Sequence, residues 1–113
     1  MTYLIKKLKD TEEIKTVCGN VKELIKSSDF KEASVIIVTV NGETKKHWHK
    51  KLTEFYYILD GEIDLELDDA VEHCEEGTLV MIKPGTAHKA RGNGHILEIS
   101  LPAFDPNDLT VVE

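Results

Sequence analysis

His47 and His49 stand two residues apart in the segment Lys45-Lys46-His47-Trp48-His49-Lys50. Side chains two apart on a strand leave the same face, so both imidazoles can aim at one point. Glu54 follows shortly after, and His88 comes just past the turn sequence Lys83-Pro84-Gly85. Three imidazoles and a carboxylate suit a divalent transition metal: Fe(II), Mn(II), Ni(II), Co(II), Cu(II) or Zn(II). The His-x-His pair alone is a weak signal, since two such residues on a strand are commonly just surface polar groups. Glu54 strengthens it, because a carboxylate facing a protein interior needs a cation beside it. The expected site is one metal on His47, His49, Glu54 and His88. On a six-coordinate ion these ligands leave two positions open for substrate or dioxygen. On tetrahedral zinc they leave none, and the site is then structural.

Short strands must position these residues. Ser34 to Val40 is β-branched and apolar, as in a buried strand. Asn41-Gly42 carries a two-residue hairpin signal and leads into the His-x-His strand, Glu43 to Lys51. Glu54 to Leu59 is the next strand, and Asp60-Gly61 repeats the hairpin signal. Glu62 to Asp68 alternates apolar with acidic, and Asp68-Asp69 turns the chain. Val71 to Cys74, Thr78 to Ile82, His88 to Arg91 and His95 to Leu101 complete the set. Pro84-Gly85 and Gly92-Asn93-Gly94 are predicted turns. Before this region, Leu4-Ile5 reads as a short strand. Val21, Leu24 and Ile25 have helical spacing, with Asn20 as N-cap of a short helix. About eight short strands and almost no helix point to an all-β sandwich or barrel.

At 113 residues the chain reads as a single domain. Three parts follow: a leader over residues 1–33, a barrel core over 34–101 and a tail over 102–113. A formal charge of −7 argues against nucleic acid or an anionic membrane as partner. No apolar run approaches the roughly 18 residues of a membrane span. The N-terminal residues lack the pattern of a secretion signal, so a cytoplasmic location is expected. Cys18 and Cys74 form no Cys-x-x-Cys pair and read as free thiols.

The two ligand segments together resemble the cupin superfamily. Its first motif runs glycine, His-x-His, glutamate, glycine; here these are Gly42, His47, His49, Glu54 and Gly61. Its second motif runs glycine, Pro-x-Gly, histidine. Here Gly77 is followed by Lys83-Pro84-Gly85 and then His88, with Lys83 in place of the motif's first proline. Gly92 stands where the motif has asparagine, with Asn93 one place later. The resemblance covers Ser34 to Leu101. It implies a double-stranded β-helix, or jelly roll, with a metal on the four ligands named above, and a pairing of barrels into a homodimer.

Further residues gather around this frame. Tyr56 and Ile58 share the parity of Glu54 and should face the interior. Tyr56 is the candidate proton-handling neighbour, with plain core packing as the competing reading. Trp48 points away from the metal, as an interface residue would. Lys45, Lys46, Lys50, Lys51, Lys83, Lys89 and Arg91 cluster near the motifs, a collar that would attract an anionic or sugar-like small molecule if it faced the site. His73 reads as exposed beside a buried Cys74. His95 is a supporting residue at most, since parity does not decide between it and Ile96. Phe104 lies in a tail placed to fold over a barrel mouth. The function expected is a metal-dependent enzyme of dioxygenase or isomerase/epimerase type. The alternative is a non-catalytic module that binds a small molecule for sensing or regulation.

Overall fold

Two long strands carry the barrel. In the computed structural model, which describes residues 2–113, β5 (Thr53–Leu67) and β8 (His88–Leu101) pair antiparallel from Thr53↔Leu101 to Leu67↔His88. Around them lie β1 (Glu13–Thr16), β2 (Gly19–Ile25), β3 (Ser34–Glu43), β4 (His47–Trp48), β6 (Ala70–Glu75), β7 (Leu79–Ile82) and β9 (Thr110–Val111). On the outer edge of β8, β3 pairs along its full length, with β2 and then β1 beyond it. The free edge of β5 is taken by β7 along its first half and by β6 along its second. The sheet curls on itself, and its concave side is filled by alternate residues such as Val38, Val40, Ile58, Ile63, Leu65 and Ile96. Ile63 and Leu65 point in and Glu62 points out, as the alternation of that segment predicts.

Three expected turns are not turns. Asn41-Gly42 continues β3, facing Asn93 and Gly92 across the sheet. Asp60-Gly61 lies inside β5, and Gly92-Asn93-Gly94 lies inside β8. The glycines serve a different end. Gly61 pairs with Gly94 and Gly92 faces Ile63, where the two strands bend together at a corner of the barrel. A Cβ on Gly61 would strike the backbone of Asn93, and one on Gly94 would strike the carbonyl of Asp60. Gly61 also holds φ at 79°, a conformation that favours glycine. A bulge between Ile58 and Asp60 adds to the bend. Of the expected turns, the one at Asp68-Asp69 is a hairpin, where Leu67 pairs with Ala70.

The expected helix at Asn20 to Lys26 is likewise corrected. Those residues form β2, between β1 and β3, with Val21 facing Val38. A bulge at Leu24 breaks the two-residue period there, which gives Val21, Leu24 and Ile25 their helix-like spacing. The helical content of the N-terminal region is one 3-10 turn, Leu8–Asp10. Leu4 and Ile5 lie outside any strand and are exposed.

Candidate metal centre

The fold brings the two ligand segments together by direct bonds. His47 of β4 pairs with His88 of β8 in the sheet. The backbone N–H of Gly85, in the turn before His88, donates to the carbonyl of His49 at 2.7 Å. Thr44 exchanges bonds with Ala90 on the same seam. Asp68, in the hairpin of β5 and β6, accepts from the N–H of Ala87 at 2.9 Å and so anchors the residue next to His88. Glu54, near the start of β5, faces the same interior; it and the three histidines are each at most 3% exposed.

Each of the three imidazoles has its Nδ1 committed. His47 Nδ1 donates to the carbonyl of Lys45 at 2.8 Å, and His88 Nδ1 to that of Thr86 at 2.8 Å. His49 Nδ1 donates to the carbonyl of Asp108 at 2.7 Å. A carbonyl only accepts, so Nδ1 carries the proton and Nε2 presents its lone pair inward. Ligand nitrogens of His47, His49 and His88 can lie within 4.8 Å of one another. Glu54 Oε1 sits 3.3 Å from His49 Nε2 and 3.1 Å from His88 Nε2. Yet His49 Nε2, Glu54 Oε1 and His88 Nε2 make no hydrogen bond. Three buried polar atoms without partners would each cost about 1–3 kcal/mol. A cation held among them removes that cost, so the residues fit a metal.

The electrostatics agree with a site made for positive charge. Burial, with the neighbouring His88, lowers His47 to about 4. Burial also pulls His49 down, but the Glu54 carboxylate and the Asp108 carbonyl outweigh it and the net direction is up. Burial alone would raise Glu54; the neighbouring Glu98 carboxyl and the imidazoles of His49 and His88 outweigh it, and the net direction is down.

Three neighbours were not expected from the sequence. Glu98, 5% exposed, pairs with Tyr56 across β5 and β8. Its carboxyl is pushed well up by burial first and then by the charge of Glu54. One signal was available: Ile96, Glu98 and Ser100 alternate inward, so an acid occupies a core position. Cys18, at the hairpin between β1 and β2, places its sulfur 3.4 Å from His47 Nε2. Asp108 not only accepts from His49 but also takes the N–H groups of Lys50 and Lys51 on its carboxylate, at 2.7 and 3.0 Å. The tail thus clamps the His-x-His segment, and β9 pairs with β4 beside it.

A cavity of about 450 Å³ adjoins the cluster. His49, Glu54, Glu98 and Cys18 stand on its wall; Ile14, Val17, Val21 and Ile36 supply much of the rest. Phe104, whose ring meets that of His49 edge-on at 6.0 Å, roofs it with Pro106 and Leu109. Tyr56 is buried behind the cluster, 5.9 Å from the His88 ring, and is not on this wall. None of the seven basic residues near the motifs lines the cavity either. Lys46, Lys89 and Arg91 are engaged at the surface, all with Glu66 and Lys89 also with Glu43 and Glu113. Trp48 is half-buried on the β4 strand, opposite Thr110. His73 and His95 lie outside the site, paired with Asp64 and Asp60 at 2.7 and 2.8 Å. Cys18 and Cys74 are both free. Among the described residues no helix is long and apolar enough to cross a membrane.

Comparison with known proteins agrees with this architecture. Residues 34–99 match the family described as Cupin domain. The uncharacterized protein MJ1618 of Methanocaldococcus jannaschii is 30% identical over 101 residues, covering 82% of this chain and 81% of its own. A crystal structure of a protein from Planctomyces limnophilus superposes with a TM-score of 0.87 at 24% identity, over 96% of each chain. Pac13, a nucleoside dehydratase from Streptomyces, superposes with a TM-score of 0.89 at 17% identity, over 99% of this chain and 92% of its own. The match spans the barrel and both ligand segments, and with it the chain belongs to the cupin family.

Proposed function

We propose that the protein is a metal-dependent enzyme of isomerase/epimerase type, with His47, His49, Glu54 and His88 holding one divalent transition ion. The observation that carries this is the set of buried, unpartnered atoms on His49, Glu54 and His88 beside a cavity of small-molecule size. When bound, such an ion supplies Lewis-acid polarisation of a substrate oxygen. The protein's own groups then do the rest. Glu98 holds a proton on the cavity wall next to Glu54, in position to exchange it with a substrate. The apolar wall and the Phe104 roof exclude water. Lys26 is the one cation on the wall, against Glu23, Glu54 and Glu98. That balance favours an uncharged, hydroxyl- or carbonyl-bearing molecule, sugar-like in chemistry, over an anion. A nucleoside dehydratase built on the same barrel supports a catalytic reading.

The homodimer also belongs to this proposal. Tyr57, Leu59, Leu79 and Met81 are exposed on the outer face of β5 and β7, an apolar surface of the kind that pairs. The test of function is metal analysis of the purified protein and of His49→Ala, followed by incubation of the loaded protein in heavy water with a panel of sugars and hydroxy-carbonyl compounds. One equivalent of metal in the wild type, none in the variant, and deuterium uptake at carbon in a panel member are expected. Bound metal with no exchange or turnover for any compound would favour a non-catalytic binding module instead.

A further inference from the structure

Ser34, Glu98 and Ser100 are polar, at most 5% exposed, and set on the wall of the cavity beside the histidine cluster. The sheet places them in order. Ser100 of β8 pairs with Ser34 of β3 on one side and with Glu54 of β5 on the other. Glu98 lies two residues before Ser100 on the same strand and shares its face. Neighbouring strands lie about 4.8 Å apart, so Ser34, Ser100 and Glu54 make a line about 10 Å long that ends at the candidate metal. Ser34 Oγ accepts the N–H of Phe104 at 3.0 Å, while Ser100 Oγ has no hydrogen-bond partner among the described residues. A buried hydroxyl is costly unless something pairs with it, and native interiors rarely leave one unpaired. The roof over this floor is apolar, with Phe104, Pro106 and Leu109 presenting only carbon. The cavity therefore has two unlike faces, one of hydroxyl and carboxyl groups and one of hydrocarbon.

We propose that this slot holds a monosaccharide, with Ser100 as the residue that reads one of its hydroxyls and the Phe104 roof covering the C–H face of the ring. A sugar ring has the same two-sidedness as the slot, and the line from Ser34 to Glu54 spans one ring with its hydroxyls. Serine and sugar hydroxyls each donate and accept, so they pair reciprocally with no charge involved. A site built to pair a hydroxyl rejects the analogue that lacks it, because its own buried group is then left alone. This deepens the functional reading above and rests on it for the end of the sugar that meets the ion.

The test is calorimetric titration of protein incubated with Mn(II), using D-ribose, D-xylose, D-glucose and D-mannose, then the monodeoxy analogues of the sugar bound most tightly. In the wild type one analogue should bind about tenfold more weakly than its parent. In Ser100→Ala the parent should fall to the level of that analogue, and Ser100→Thr, which keeps a hydroxyl, should restore the difference. A preference that survives in Ser100→Ala would overturn the role of Ser100. Bound Mn(II) with no binding of any of the four sugars would overturn the proposal and leave the metal site standing. Sugar discrimination that depends on Ser100 in protein holding no Mn(II) would instead overturn the metal reading and leave this one. A crystal of the wild type soaked in the bound sugar gives a reading that needs no variant. A sugar hydroxyl about 2.8 Å from Ser100 Oγ is expected, and a sugar seated elsewhere would overturn the proposal.

Discussion

Five histidines serve this chain in two ways, and the partner of Nδ1 separates them. In His47, His49 and His88 that nitrogen donates to a backbone carbonyl, of Lys45, Asp108 and Thr86. In His73 and His95 it meets a carboxylate, Asp64 and Asp60. The first arrangement is dry and leaves Nε2 as a directed lone pair. The second is wet, and the ring is simply one half of a surface ion pair. A carbonyl fixes the tautomer without adding a full charge and leaves Nε2 directed inward. At His73 the Asp64 carboxylate shifts the ring toward its protonated form, which cannot bind metal through that nitrogen. The same residue type is a ligand in one region and a surface charge in the other.

The largest effect that can break this contrast is on metal affinity. His88→Ala removes an inward Nε2 and should weaken binding of Zn(II) or Mn(II) by more than about 100-fold, beyond what a supporting residue contributes. His95→Ala should leave it unchanged. Isothermal titration of both variants decides the matter; equal losses would mean that burial and tautomer do not distinguish the two groups.

Much of this contrast was legible before the structure. The ligands sit on two short stretches with their own geometry: His47 on a strand of two residues, His47–Trp48, shorter than the Glu43 to Lys51 strand expected, with His49 just past its end, and a Pro-Gly turn before His88. Parity placed Tyr56 and Ile58 inward and His73 outward, as found. The bends were not legible. Asn-Gly and Asp-Gly are local hairpin signals, and only the pairing of β5 with β8 shows that Gly61, Gly92 and Gly94 are there to let two backbones approach. At β2 the bulge at Leu24 imitated a helical period. Around the site, Cys18, Glu98 and Asp108 come from strands and loops far apart in sequence, so no local pattern announces them. Of these, Glu98 alone left a trace, an acid in the alternating run Ile96 to Ser100.

The second effect is on the pH dependence of the metal-free protein. Folding holds His47 at about 4, below its ordinary value of 6.5, through burial and the neighbouring His88. The unfolded chain therefore takes up this proton first as the pH falls. His47 destabilises the fold progressively from about pH 6.5 down to about pH 4 and no further below that, by an amount on the order of 3 kcal/mol. His49, Glu54 and Cys18 also face this ring, so the wild-type curve carries their contributions as well. The difference between wild type and His47→Gln isolates the one group. Urea unfolding across that window should show the variant losing less stability on acidification; parallel curves would mean that His47 is solvated in the folded protein.

His73 gives the smallest effect and the opposite sign. The carboxylate of Asp64 raises it, with Glu62 contributing, against a small cost of desolvation. Because the folded value is above the unfolded one, its contribution is fully present below about pH 6.5 and is lost as the pH rises through the folded value. Both partners are well exposed, so water screens the pair and the gain is slight. His73→Asn should therefore melt slightly below the wild type at about pH 5 and together with it at about pH 9. Metal affinity should not move at either pH. If instead the His73 variant bound metal more weakly, the exposed pair at the β5–β6 edge would be coupled to the buried cluster through the shared strand β5. The division between dry ligands and wet ion pairs would then be one of degree along that strand, since Glu54 and Asp64 both belong to it.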